Sequence, residues 1–216
     1  MEELLCIDSN GTLSRDPPTG RIALFPGSFD PLHAGHRRLA AVAEAKFGLP
    51  VHYELSLTNV DKPDLAAEVW KARAAQFAGV APLWLTRAPT FEAKSLLFPG
   101  ALFVVGYDTV LRLLDAKYYA DETDRRRSLE AICERGCRFA VGGRLDGAGA
   151  FRTWSDSLLS PAGSLPPVFD MLSEADFRLD LSSTELREAS GAGYNLQSHP
   201  HPGGASCPVS SPSSPR

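Results

Sequence analysis

Apolar positions along the chain switch repeatedly between two periods. Arg21-Ile22-Ala23-Leu24-Phe25 is a compact apolar run, and Leu39, Val42, Ala43 and Phe47 then recur at helical spacing before Gly48, a C-terminal stop. Val51, Tyr53, Leu55 and Leu57 alternate as a strand does, followed by a helical stretch from Leu65 to Ala78 that ends at Gly79. The spacing predicts a third strand at Leu83-Trp84-Leu85 and a short helix from Glu92 to Phe98. Ala101-Leu102-Phe103-Val104-Val105 is a continuous apolar run of the kind buried on both faces of a parallel sheet. A charged helix from Asp124 to Arg135 leads to the strand Arg138-Phe139-Ala140-Val141. The order βαβαβαβαβ predicts an α/β fold, a Rossmann-like open parallel sheet with helices on both faces and right-handed crossovers. Ligands of such sheets sit beyond the carboxyl ends of the strands, so chemistry is expected in the loops that follow them.

The ends of the chain read differently. Residues 1–20 form an N-terminal extension, because residues 8–20 are rich in turn formers and the first strong strand comes directly after them. The main domain is expected over 21–190. Residues 191–216, with their Ser, Pro and Gly, are too poor in apolar side chains to order themselves, and His199 and His201 are read as tail residues.

At 216 residues and 44% hydrophobic, the chain has material for one sizeable core. A formal charge of −4 carries no general basic signature, which argues against an extended nucleic-acid surface and in favour of small anionic ligands. Four scattered cysteines without a CxxC pair point to a reducing compartment. No stretch approaches the ~20 apolar residues of a membrane span, and the start of the chain is acidic, unlike a secretory leader. The expected location is cytoplasmic, with no membrane partner; a homo-oligomer is left open.

Candidate chemistry begins after the first strand, at Gly27-Ser28-Phe29-Asp30-Pro31-Leu32-His33-Ala34-Gly35-His36. Gly27 and Gly35 let backbone approach a ligand, and the helix start adds N–H groups and the positive end of a dipole. His33 and His36, three apart across that turn, can face one anion and donate to oxygens that gain charge during attack on phosphorus; the bland alternative is that two loop imidazoles only cap the backbone. A second segment, Leu181-Ser182-Ser183-Thr184-Glu185-Leu186-Arg187, carries a capping box between Ser182 and Glu185. It predicts a helix start at which Ser183, Thr184 and the Arg187 guanidinium meet phosphate oxygens.

Residues 27–36 resemble the Gly-x-Phe-[Asp/Asn]-Pro-x-His-x-Gly-His signature of the nucleotidylyltransferase superfamily, and residues 181–187 resemble its (Ile/Leu)-Ser-Ser-Thr-x-x-Arg motif. That resemblance spans roughly residues 21–190 and implies in-line transfer of a nucleoside monophosphate from a nucleoside triphosphate to a phosphate-bearing acceptor, with pyrophosphate leaving. It implies that His33, His36 and Arg187 are catalytic and that Gly27, Ser28, Phe29, Gly35, Ser183 and Thr184 bind nucleotide phosphates. Mg²⁺ would be held mainly by phosphate oxygens and water, with ATP as substrate. Because the attacking phosphate is already an anion, no general base is needed.

Gly106-Tyr107-Asp108-Thr109 resembles the Gly-x-Asp-[Ser/Thr] segment of the nicotinamide- and nicotinate-mononucleotide adenylyltransferases. By that resemblance Gly106 and Asp108 lie in the nucleotide crevice, Asp108 accepting from a ribose hydroxyl; its alternative role is a helix N-cap. Lys62, in the loop after the second strand, reads either as a cation for the acceptor phosphate or as a solvated loop lysine. Arg144, after Gly142-Gly143, reads either as a phosphate contact or as an exposed arginine. The first functional expectation is an adenylyltransferase that makes NAD or its deamidated form. Beside it stand a cytidylyltransferase, a pantetheine-phosphate adenylyltransferase, and a nucleotide-binding regulatory protein with little catalysis.

Overall fold

Residues 4–61, 63–145, 151–152, 168–173 and 175–176 are described by a computed structural model. They fall within one compact unit, Met1–Ser183; the second unit, Thr184–Arg216, lies outside the described residues, and with it the expected tail at 191–216. The chain order is β1 (Leu4–Ile7), β2 (Leu13–Ser14), β3 (Ala23–Pro26), α1 (Ala34–Phe47), β4 (Val51–Ser56), α2 (Ala67–Ala74), β5 (Leu83–Thr86), α3 (Phe91–Leu97) and β6 (Leu102–Gly106). Then follow α4 (Tyr107–Leu113), α5 (Glu122–Glu134), β7 (Arg138–Gly142), β8 (Arg144–Leu145), β9 (Phe151–Arg152) and β10 (Phe169–Leu172). Eight strands form one sheet in the order β10-β7-β6-β3-β4-β5-β1-β2, while β8 and β9 pair separately.

Its six central strands, β5-β4-β3-β6-β7-β10, are parallel. Numbered by appearance they run 3-2-1-4-5-6, the doubly wound order in which the direction of winding reverses between the first and fourth strands. That switch point lies between β3 and β6.

Alternation along the central strands explains the two layers. Ala23 and Phe25 of β3 point into the core beneath α1, with Leu39, Ala40 and Ala43 of the helix and with Phe77. Leu24 points the other way, into a second core with Phe103, Val105, Val110 of α4, and Leu129 and Ile132 of α5. All of these are at most 5% exposed, apart from Ala40 at 6%. The runs that read as continuous hydrophobicity are thus strands covered on both faces.

Element boundaries depart from the sequence reading in several places. The sheet begins at Leu4, because β1 pairs antiparallel with β5 along its whole length (Leu4↔Thr86 to Ile7↔Leu83) and β2 pairs with β1; the expected extension at 1–20 therefore holds two strands of the sheet. Cys6, 8% exposed, packs beside Trp84 in the second core. The helix expected over Leu65 to Ala78 is α2 followed by a 3₁₀ turn, Ala75–Phe77; its N-cap Ala66 offers no side-chain acceptor, which shortens the start. The strands β8, β9 and β10 were not anticipated, the first two being two residues long and β10 four residues closely following Pro166-Pro167, and α4 was anticipated only in the alternative that gave Asp108 a capping role.

Candidate active site

The turn after β3 is built around a buried ring. Phe29 is 1% exposed and sits at φ 45°, in the left-handed region that a bulky side chain rarely adopts. Its ring lies edge-on to Phe25, His36, Tyr53 and Phe77, with centroids 5.1–5.9 Å apart. The backbone is thereby pinned from inside. Gly27 is required by the same packing, since a Cβ there would lie 2.6 Å from Phe29 Cζ. The expectation that Phe29 touches nucleotide is corrected for its side chain, which is turned into the core and acts by fixing the turn; Ser28 remains exposed.

From outside, the turn is splinted by two residues that the sequence reading missed. Arg73 donates to Ser28 O (3.0 Å) and to Asp30 Oδ2 (2.6 Å), while Gln76 donates to Phe29 O (3.1 Å) and accepts from Leu32 N (2.8 Å). Arg73 and Gln76 are three apart on α2 and its 3₁₀ extension, so they share a face. Their polar identity on a helix turned towards the loop after β3 was the only signal, and it needs the partner segment to be read. The Asp30–Pro31 peptide bond is cis.

The two imidazoles form a reciprocal cap at the start of α1. His33 is the N-cap, its Nδ1 accepting from Gly35 N at 3.1 Å, and His36 Nδ1 accepts from His33 N at 3.3 Å. This is a capping box in which histidines occupy both the N-cap and N3 positions. The sequence reading offered capping and anion binding as alternatives, and Nδ1 of both rings takes the capping role. Nδ1 of each ring is committed to backbone, which assigns the proton of each neutral ring to Nε2, a donor. The Gly35 N–H, expected to approach a ligand, is instead held within the cap. The rings stack with centroids 3.7 Å apart. Burial, and next to it the charge of His33, pushes the His36 imidazole down to about 4, and burial lowers His33 as well. Near neutral pH the pair is therefore uncharged, two stacked imidazoles at the positive end of a 14-residue helix.

This pair sits at the switch point. β3 and β6 pair only at Ala23↔Leu102 and Leu24↔Phe103, although β6 runs on to Gly106 and β3 to Pro26. The ladder therefore stops two residues before the end of β3, and the strands part where the turn with His33 and His36 departs. On the far side Gly106 is the N-cap of α4 and Asp108 is exposed in its first turn. Asp108 is therefore not the N-cap, so the alternative reading of it as a cap does not hold.

A buried ion pair supports the next strand ends. Glu54 on β4 and Lys94 on α3 are 1% and 4% exposed, with Lys94 Nζ 3.0 Å from Glu54 Oε1. Lys94 also donates to Ala88 O (2.5 Å) and to Ser56 Oγ, while Thr86 donates to the same Glu54 oxygen at 2.5 Å. All three ammonium protons have acceptors, which is the condition under which a buried cation is tolerated. The backbone carbonyl of Glu54 accepts from Gly27 N at 3.0 Å, tying this cluster to the start of the turn that carries His33 and His36.

Of the remaining expected residues, Arg144 opens β8, two residues past the end of β7. Lys62, Ser183, Thr184 and Arg187 lie outside the described residues. No helix among the described residues is long and apolar enough to cross a membrane. No curated protein matches the chain. The family model described as cytidylyltransferase-like matches residues 24–72, from within β3 through both imidazoles to α2, and that match supports the nucleotidylyltransferase superfamily.

Proposed function

We propose that this protein transfers AMP from ATP to a phosphate-bearing acceptor, with nicotinamide or nicotinate mononucleotide as the first candidate, so that a dinucleotide of the NAD type forms and pyrophosphate leaves. The observation that carries this reading is the paired His33 and His36 cap at the switch point, with both Nδ1 atoms committed to backbone. Neutral Nε2–H groups suit the reaction. An acceptor phosphate oxygen forms a bond to the α-phosphorus, the bond to the β-phosphate bridging oxygen breaks, and charge grows on oxygens that the two donors and the α1 dipole stabilise. The acceptor brings its own anionic nucleophile, so the site needs positioning more than proton transfer.

In this reading Ser28 and the exposed backbone of the turn cradle phosphates, Asp108 and Gly106 meet the ribose, and Ser183, Thr184 and Arg187 hold the outer phosphates. Mg²⁺, when bound with the triphosphate, neutralises charge on the leaving pyrophosphate. The donors of the site fit a metal carried by the nucleotide: the turn offers N–H groups, and its one carboxylate, Asp30, is paired with Arg73. Lys62 and Arg144 are proposed as acceptor-side cations. The preference for a pyridine mononucleotide rests on the likeness of residues 106–109 to enzymes that use one.

The test is to incubate the protein with Mg²⁺, with ATP or CTP, and with a panel of phosphate acceptors, following pyrophosphate release and the product mass. ATP turnover with a pyridine mononucleotide alone is the expected result, and CTP preference sinks the adenylyl assignment. His36→Ala is expected to lower kcat by about 10²-fold or more while changing ATP affinity little, as for a lost transition-state donor. Equal effects on both refute that role.

A further inference from the structure

A tie crosses the mouth of the switch point, between two segments far apart in sequence. The loop after β4 is closed at its base, where Leu65 N donates to Leu57 O at 2.9 Å, and turned near its tip, where Asp61 N donates to Asn59 Oδ1 at 2.8 Å. Asp61 sits at that tip. Its Oδ2 accepts from Arg112 Nη2 at 2.6 Å and from Tyr118 OH at 2.7 Å. Arg112 belongs to α4 and Tyr118 to the 3₁₀ turn just after it, Ala116–Tyr118, so both donors come from the connection that leaves β6.

Strand order gives this contact its meaning. β4 and β6 are the two neighbours of β3. α2 follows the β4 loop and its 3₁₀ extension packs in the core beneath α1, whereas α4 packs in the core on the opposite face. A bond from the β4 loop to α4 therefore spans the carboxyl end of β3, where the turn with both imidazoles departs. We infer that Asp61, Arg112 and Tyr118 are positioning residues of the active site, a tie that holds its two rims at the separation a nucleotide needs.

The chemistry of the tie is suited to that task. One carboxylate oxygen takes two donors from one connection, and the Lys117 ammonium lies over the Tyr118 ring, 4.7 Å from its centroid, adding a second cation on the same side. The Tyr118 hydroxyl first, and the Arg112 guanidinium after it, hold the Asp61 carboxyl below the usual carboxylate range, so it stays ionised at neutral pH. The group is half-exposed, with Asp61 37% and Arg112 60% accessible, so it is open to salt and can loosen as ligands pass. Isolated surface pairs of this kind add little to folding. A contact joining two rims acts instead on how long a ligand stays between them.

The proposal rests on the nucleotidyl-transfer reading, and its test separates the two. Asp61→Asn and Tyr118→Phe, together with the charge-reversed pair Asp61→Arg/Arg112→Asp, are compared with the full-length parent in stopped-flow release of mant-ATP and mant-CTP and in steady-state turnover. Each single change is expected to speed nucleotide release and raise the acceptor KM by roughly three- to ten-fold, as for lost charge-assisted bonds at a half-exposed site. The effect on kcat is expected to be smaller and thermal midpoints to change little; the reversed pair should recover most of the loss, and the parent should approach the single variants as salt rises. Binding and turnover by the parent with release and KM unchanged in both single variants overturn the tie alone. A parent that binds neither nucleotide removes the transfer reading and this proposal with it.

Discussion

Gly27 and Phe29 constrain each other so tightly that neither can be exchanged without moving the turn that carries His33 and His36. A methyl at position 27 would meet a ring packed against four other aromatic side chains. Gly27→Ala is therefore expected to destabilise by about 1–3 kcal/mol through overpacking, seen as a lower urea midpoint, with a further loss of turnover because the ring can relieve the clash only by shifting the turn. Unchanged stability and activity would show that the ring has room to move. His36 makes the acid side of the stability curve a readout of the same site. Its folded value, about 4, lies below its ordinary 6.5, so the unfolded chain takes up a proton that the folded chain refuses between those pH values. Stability contributed by neutral His36 is thus present above about pH 6.5 and is lost as pH falls towards 4. His36→Gln keeps an N3 acceptor for the capping box but cannot titrate. Thermal midpoints of that variant should fall less between pH 6.5 and 4 than those of the parent.

At the scale of elements, helices and strands were legible wherever one face was apolar over several turns or every second residue. α1 was readable down to its stop, where Gly48 takes the left-handed conformation at φ 65°. Segments whose order comes from contacts elsewhere were not readable. Nothing in the sequence singles out Lys94 within the short helix, yet it is the centre of a buried network joining α3, β4, β5 and the loop at Ala88. Lys94→Met removes the cation and leaves the Glu54 carboxylate buried without it, which is expected to cost about 3–5 kcal/mol, measured by chemical denaturation. Adding Glu54→Gln to that variant should recover part of the loss; no recovery would mean that packing of the lysine stem, rather than charge, sets the effect.

For the whole molecule, the unexpected part of the sheet is its β1 and β2 edge. Deleting residues 1–20 would strip β5 of its antiparallel partner, expose Trp84 and leave a flat edge of unpaired backbone groups. A loss of roughly 2–4 kcal/mol is expected, from partial exposure of a few apolar side chains offset by the entropy of the released segment. An unchanged urea midpoint would return those residues to the role of a dispensable extension. The two histidines and the glycine turn were visible as a site because ten ordered positions after one strand form a local pattern. The contacts of Arg73, Gln76, Asp61, Arg112 and Tyr118 were invisible, since each bonds to a partner more than 40 residues away.

Local order is written in neighbours along the chain: periodicity set the fold class and the strand–turn–helix frame, and the spacing of His33 and His36 marked where phosphate chemistry is proposed. Which ring nitrogen keeps its proton, which cation is buried, which strands part to open a crevice, and which loop is tied across it were decided only when distant segments met. Burial and hydrogen-bond pairing are properties of those meetings, and no single segment carries them before the sheet has assembled.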